Sequence, residues 1–241
     1  MVLKSKSLAV IIPVRNEEKI IEKTVGKVVK ELKDLPFRSS LVIVNDGSED
    51  YTQIIIEKSI KKYPKILNII NFDKNKGYGR AVQAGIEYCI KRKIDYALFM
   101  DSDLTNDPAD IKKFANEINQ NYDCIKASRY IKGGKAQGVP VEKKIISRLG
   151  NLIASSLFNV GVKDCTNGFR MVRLDKFRRI KLREKGFPVI MEEIYYLKKR
   201  KAKFKEIPVT LKNRKTGMSH FKYSFKIFYN YLKYPVKSLW L

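Results

Sequence analysis

The feature that most constrains the fold is a series of short, uninterrupted apolar runs, each followed by an amphipathic stretch. "LAVIIPV" (8–14), "LVIVNDGS" (41–48), "ILNIINF" (66–72) and "YALFMD" (96–101) read as strands. A strand wetted on one face alternates apolar and polar residues, so unbroken runs belong to strands covered on both faces. Between them lie helical patterns. Ile20, Ile21, Val25, Val28, Val29 and Leu32 recur at helical spacing, a second helix is expected over 51–62, and a third opens at "NKGYGRAVQAG" and continues to about Arg92. Strand–helix alternation at this interval predicts a parallel, doubly wound α/β sheet with helices on both faces.

The second half is less regular. A strand is expected near 124–129, a Gly-Gly turn at Gly133-Gly134, and a helix over about 141–158. A strand around 168–172, a helix around 189–201 and a strand "KEIPVTL" (205–211) follow. No internal repeat or low-complexity linker divides the chain. The simplest organisation is one catalytic-sized domain, 1–218, with a tail, 219–241.

In doubly wound sheets, ligands bind beyond the carboxyl ends of the strands. Here those ends carry Pro13-Val14-Arg15-Asn16-Glu17, Asn45-Asp46-Gly47-Ser48 and Asp101-Ser102-Asp103. Capping alone accounts for single acids at such places, but three strand ends with acids and turn residues point to a site. Asp101 and Asp103, two apart on an extended segment, face the same side about 7 Å apart. Two such anions raise each other's pKa unless a cation lies between them.

Fifty Lys+Arg against 25 Asp+Glu give a formal charge of +25, which implies an anionic partner: nucleic acid, an anionic membrane surface or phosphorylated small molecules. The charge is uneven, with 13 Lys/Arg and the single acid Glu206 from Ile194 to Leu241. Cys89, Cys124 and Cys165 show no metal-ligand spacing and are expected to be reduced thiols. The basic and apolar start of the chain breaks at Pro13 and "RNEE" without a cleavage site, so it reads as a strand and not a signal peptide. No segment reaches the 18 to 20 or so apolar residues of a membrane span.

The strings "VIIPVRNEE", "VNDGSED", "NKGYGRAVQAG", "MDSDLTNDP", "DCTNGFRMVR" and "EIPVTLKNRKTGMS", in this order over about residues 8 to 219, resemble a family 2 glycosyltransferase of GT-A fold. More narrowly they are similar to the polyprenyl-phosphate (dolichyl-phosphate) hexose synthases. The resemblance implies a GT-A (Rossmann-like), mostly parallel sheet with a C-terminal amphipathic helix, and Pro13, Arg15, Glu17, Asp46, Asp101 and Ser102 around the donor nucleotide. It implies Asp101 and Asp103 as ligands of Mg²⁺ or Mn²⁺, a cation that prefers one or two carboxylates plus phosphate oxygens. Arg129, Lys143, Ser147, Arg170 and Arg214 match positions for the acceptor phosphate, and Asp103, Glu192 and Arg214 are the residues assigned to catalysis. This chain has Arg15 where many relatives have Tyr, Asn45 for Asp, Lys143 for Arg, Thr105 for Gln, and His220 for Lys. Lys143 offers a point charge where Arg offers a fork. The "GYGRAVQAG" turn lacks dinucleotide spacing, and its glycines are expected to permit close approach of turn and helix near the donor.

A phosphate monoester, with its second pKa near 6, is already largely a dianion at neutral pH. Such an acceptor needs positioning and neutralisation more than a base, so one inverting displacement at the anomeric carbon is expected. An alcohol acceptor would require a general base, for which Glu192 is the candidate and Glu193 its neighbouring rival.

In the tail, Phe221, Phe225, Phe228 and Leu232 follow helical spacing among lysines, with tyrosines and Trp240. That pattern suits a helix in a membrane interface, or else an amphipathic helix packed on the domain. The expected protein is a peripheral enzyme at the cytoplasmic face of a membrane, taking a UDP- or GDP-linked hexose and a polyprenyl phosphate. A family 2 enzyme acting on a soluble sugar or protein hydroxyl is the alternative. A nucleic-acid-binding module driven by charge is disfavoured, since a carboxylate cluster would repel a phosphate backbone.

Overall fold

The computed structural model describes residues 6–214 and 225–241. Along the first half run β1 (Ser7–Val14), α1 (Ile21–Lys33), β2 (Arg38–Asn45), α2 (Thr52–Lys62), β3 (Leu67–Asn71), α3 (Tyr78–Lys91), β4 (Tyr96–Phe99) and the short α4 (Ile111–Ala115). Then come β5 (Cys124–Ser128), β6 (Lys135–Ala136), α5 (Val141–Phe158), β7 (Arg170–Arg173), α6 (Val189–Lys199), β8 (Phe204–Pro208), β9 (Thr210–Leu211) and α7 (Phe225–Lys237).

The main sheet has seven strands in the order β3-β2-β1-β4-β7-β5-β8. Alternate residues of β1 explain its unbroken apolar run. Leu8, Val10, Ile12 and Val14 pack with Val25, Val28 and Leu32 of α1 on one face. Ala9 and Ile11 pack with Ala81, Val82 and Ile86 of α3 on the other. Each fully buried Val, Leu or Ile contributes about 1.5–3 kcal/mol, so both faces are strongly held. A third cluster joins α5, α6 and α7 through Ala154, Phe158, Met191, Ile194 and Tyr234.

Two features depart from the sequence reading. β7 runs antiparallel to both β4 and β5, with Phe99 opposite Arg170, so its first residue lies beside the carboxyl end of β4. That reversal delivers the loop before β7 to the edge where the parallel strands end. The expected strand 205–211 also divides: β8 stays in the main sheet while β9 pairs with β6 in a separate two-stranded ribbon.

Because β2 and β4 flank β1 on opposite sides, the chain reverses its winding there. That crevice is where a doubly wound sheet opens for a ligand.

Candidate active site

The crevice is a cleft of about 920 Å³. The end of β1 supplies Pro13, Arg15 and Glu17, the end of β2 Asp46, and the segment after β4 Asp101, Ser102, Asp103 and Thr105. Arg129 enters from the end of β5, Ser147 from α5, Gly168 from the loop before β7, and Arg214 from beyond β9. Sequence positions more than 200 residues apart thus share one wall, because every parallel strand ends on this edge.

Asp46 is fixed by the Gly-rich turn: its carboxylate accepts from the Lys76 amide at 2.7 Å and the Gly77 amide at 2.9 Å. Gly77 has φ +95, and a Cβ there would run into the Lys185 carbonyl; at Gly79 it would meet the Glu184 carbonyl. The Gly79 amide donates to Lys185 O at 2.7 Å. The glycines therefore seat α3 against Glu184 and Lys185, and Lys185, Gly186 and Phe187 line the cleft.

Asp103 accepts from both the Thr105 amide (3.0 Å) and the Thr105 hydroxyl (2.7 Å). Thr105 holds the carboxylate in place, the office its side chain serves in this chain. The second Asp103 oxygen lies 3.6 Å from the Arg214 guanidinium, which also donates to both oxygens of Glu17 at 2.7 Å. None of the described donors reaches the Asp101 carboxylate. Desolvation in the cleft, then the neighbouring Asp103, pushes its pKa up to about 7, against the pull of Arg170 and Arg214. An acceptor-only carboxylate beside a second one is the donor set of a hard divalent cation. Among the described residues no group of three or more His, Cys, Asp or Glu could hold a metal. A cation here would therefore take these two carboxylates and complete its shell from phosphate and water.

Arg129 forms a fork with the buried Asp164, Nε to Oδ2 at 2.7 Å and an NH2 to Oδ1 at 2.8 Å, and donates to the Thr166 hydroxyl at 3.0 Å. Ser147 Oγ shares a hydrogen bond of 2.7 Å with the Tyr130 hydroxyl. Both residues line the cleft.

Three assigned residues lie elsewhere. Arg170 is buried beneath the site, bidentate to Glu193 at 2.5 Å and stacked on Phe99 with its guanidinium 4.2 Å from the ring centre. It serves as a strut whose charge draws down the pKa of Asp101, and it does not line the cleft. Glu192 is also fully buried, and both its oxygens accept from the Arg183 and Glu184 amides at 2.9 Å. This carboxylate anchors the 183–186 segment and lines no part of the cleft. Lys143 lines a second depression with Tyr130, Lys144 and Arg148, which shares Arg129, Ser147 and Leu211 with the cleft.

Residues overlooked in the sequence complete the site. Asp164 orients Arg129, and Tyr231 and Leu232 of α7 form part of the cleft wall. The fully buried Lys126 donates to the Cys165 and Asn167 carbonyls at 3.1 and 2.8 Å, holding the loop that carries Asp164, Thr166 and Gly168. A charged residue inside an otherwise apolar strand was the available signal for Lys126. His220, Phe221 and Lys222 lie outside the described residues.

A family model described as "Glycosyl transferase family 2" matches residues 9–181. The chain is 30% identical over 231 residues to a dolichol-phosphate mannosyltransferase of Pyrococcus furiosus, covering 94% of this chain and 62% of that protein. It thus spans less than two thirds of that relative's length. It is 25% identical to a polyprenol monophosphomannose synthase of Mycolicibacterium smegmatis, covering 87% of this chain and 79% of that one. An undecaprenyl-phosphate mannosyltransferase of Micrococcus luteus is 26% identical, with 87% and 85% covered. Among solved structures, glucosyl-3-phosphoglycerate synthase from Mycobacterium tuberculosis in complex with UDP superposes with a TM-score of 0.70 at 15% identity, covering 98% of this chain and 81% of that one. The same enzyme with Mn²⁺, UDP and glucosyl-3-phosphoglycerate gives 0.66 at 15% identity, with 97% and 77% covered. The fold is the GT-A-like fold of these glycosyltransferase structures.

Proposed function

The chain belongs to glycosyl transferase family 2, and from that premise we propose that it moves a hexose from a nucleoside-diphosphate sugar to a polyprenyl phosphate. One observation carries the proposal. An acidic pair, Asp101 and Asp103, shares a single cleft with two arginines, Arg129 and Arg214, and with apolar side chains of α5, α6 and α7 such as Ile146, Met191 and Leu232. That combination suits a diphosphate donor, a phosphate acceptor and an apolar chain attached to it. Relatives named as polyprenyl-phosphate mannosyltransferases support the acceptor class.

In this reading Asp46, fixed by the Gly-rich turn, and the β1 end with Pro13 and Arg15 receive the nucleoside. Asp101 and Asp103 would hold Mg²⁺ or Mn²⁺, a cation that would neutralise the diphosphate and stabilise it as a leaving group. Arg214, and Arg129 held in place by Asp164, supply the positive charge that neutralises and orients the acceptor phosphate. A phosphate oxygen attacks the anomeric carbon, the bond from that carbon to the diphosphate oxygen breaks, and configuration inverts. The acceptor is already a dianion, so no side chain must take a proton, which agrees with the placement of Glu192 against backbone amides.

The test is transfer of radiolabel from UDP- or GDP-linked hexoses to vesicles containing a polyprenyl phosphate, with Mg²⁺ or Mn²⁺. Label extracted into the organic phase with one donor class is the expected result. Nucleotide binding without any lipid-linked label would contradict the acceptor and turn attention to soluble hydroxyls.

A further inference from the structure

Helix α5 is amphipathic in the opposite sense to an ordinary surface helix. Its Asn151, Ala154 and Phe158 face the protein and are buried, yet its outer face carries Val141, Ile145, Ile146, Leu149, Leu152 and Ile153, each between 42% and 64% exposed. A surface helix normally turns polar residues outward, and a contiguous exposed apolar patch marks a contact surface. At the edges of the patch stand Lys143 and Arg148, both exposed, and Glu142 is the helix's one acid. The C-terminal tip adjoins it: the Ser238 hydroxyl donates to the Leu157 carbonyl at 3.2 Å, leaving Leu239 57% and Trp240 77% exposed. α7 itself is docked on its inner side, where Tyr234 and Lys233 both donate to Glu184.

We propose that the outer face of α5, together with the C-terminal tip, is the surface on which the protein lies against an anionic lipid bilayer. Apolar side chains enter the acyl boundary, Lys143 and Arg148 meet anionic headgroups, and Trp240 sits at the interface. A second copy of the chain fits the face poorly: apposing two such faces brings basic edges together on molecules that each carry +25. A bilayer with anionic headgroups neutralises the same edges. Ile146 belongs to the exposed face and also lines the cleft, so the apolar surface runs into the site, where the chain of a lipid acceptor can pass. The partner class rests on the proposed lipid-phosphate acceptor; the surface rests on exposure and charge.

The experiment is co-sedimentation of the full chain with vesicles of phosphatidylcholine, with and without phosphatidylglycerol. It compares wild type with the double substitution Leu149→Glu, Leu152→Glu, two exposed positions outside the cleft. Wild type should bind the phosphatidylglycerol vesicles, with a blue shift of Trp240 emission. The variant should bind at least roughly tenfold more weakly. Its Tm, its nucleotide binding and its transfer to a short-chain polyprenyl phosphate in detergent should be unchanged. Wild type failing to bind, or the variant binding equally well, overturns the proposal. So does a wild-type dimer that the substitutions dissociate while vesicle binding persists. Vesicle binding lost in the variant, in a protein that transfers sugar to no lipid phosphate, would support the surface and sink the acceptor assignment instead.

Discussion

Arg214 donates to both carboxylate oxygens of Glu17 at 2.7 Å, across 197 residues of sequence. The same guanidinium stands 3.6 Å from Asp103, so one cation ties the β1 loop to the acidic pair. In the proposed reaction Arg214 would exchange carboxylate for phosphate while remaining charged throughout. Replacing it by Ala removes a charged, two-pronged donor from the buried Glu17 and should cost about 1–3 kcal/mol of stability. Transfer should fall by about two orders of magnitude, as for loss of a charge-stabilising donor, with nucleotide affinity changed far less. Thermal unfolding and steady-state kinetics on one preparation read both effects.

The acidic pair predicts a pH dependence of metal binding. Burial and Asp103 raise the Asp101 pKa to about 7, so below pH 7 a cation must displace a proton. The apparent affinity for Mn²⁺ in the presence of nucleoside diphosphate should weaken about tenfold per pH unit below 7 and level off above it. Asp103→Asn should weaken it at least tenfold at pH 8. Calorimetric titration at several pH values decides the matter; a flat profile would contradict the assignment of the pair.

Glu192 separates an anchor from a base. Because both its oxygens accept backbone amides, Glu192→Gln turns an NH₂ toward an N–H donor. It should destabilise the fold by about 1–3 kcal/mol, with the shape of the pH profile of kcat/KM retained. Loss of the low-pH limb from that profile in the variant would restore Glu192 as a base.

Cys89, Cys124 and Cys165 are buried and unpaired, and burial pushes each thiol up to about 12. The folded state therefore keeps its protons where the unfolded chain, with thiols near 9, loses them. This contribution lowers stability as pH rises above 9. At pH 8 the native protein should resist a thiol-specific chromogenic disulfide, and denaturant should expose all three groups.

Much of this architecture is legible in the sequence because burial on both faces writes an unbroken apolar run. β1 to β4 and α1 to α3 fall where those runs and their periodicities place them, and the acids fall at the strand ends. The direction of β7 is not written this way, since an apolar strand reads alike whichever way it runs. Glu192 and Glu193 differ by one helical step, and only packing sends one to backbone amides and the other to Arg170. Tail periodicity identifies an apolar face without naming what covers it: Tyr231 and Leu232 line the cleft, while Trp240 stays exposed. Asp164 and Lys126 went unrecognised because their work is to hold Arg129 and its loop, a role with no motif of its own.

In the proposed reaction the attacking group is a phosphate and not a hydroxyl. The most direct measurement offers one labelled nucleotide sugar, with Mg²⁺ or Mn²⁺, to matched vesicles containing either a polyprenyl phosphate or the corresponding polyprenol. An acid-labile, inverted glycosyl phosphate from the first and no product from the second are expected. Glycosylation of the polyprenol, or of a soluble sugar in place of either lipid, would contradict the proposed reaction.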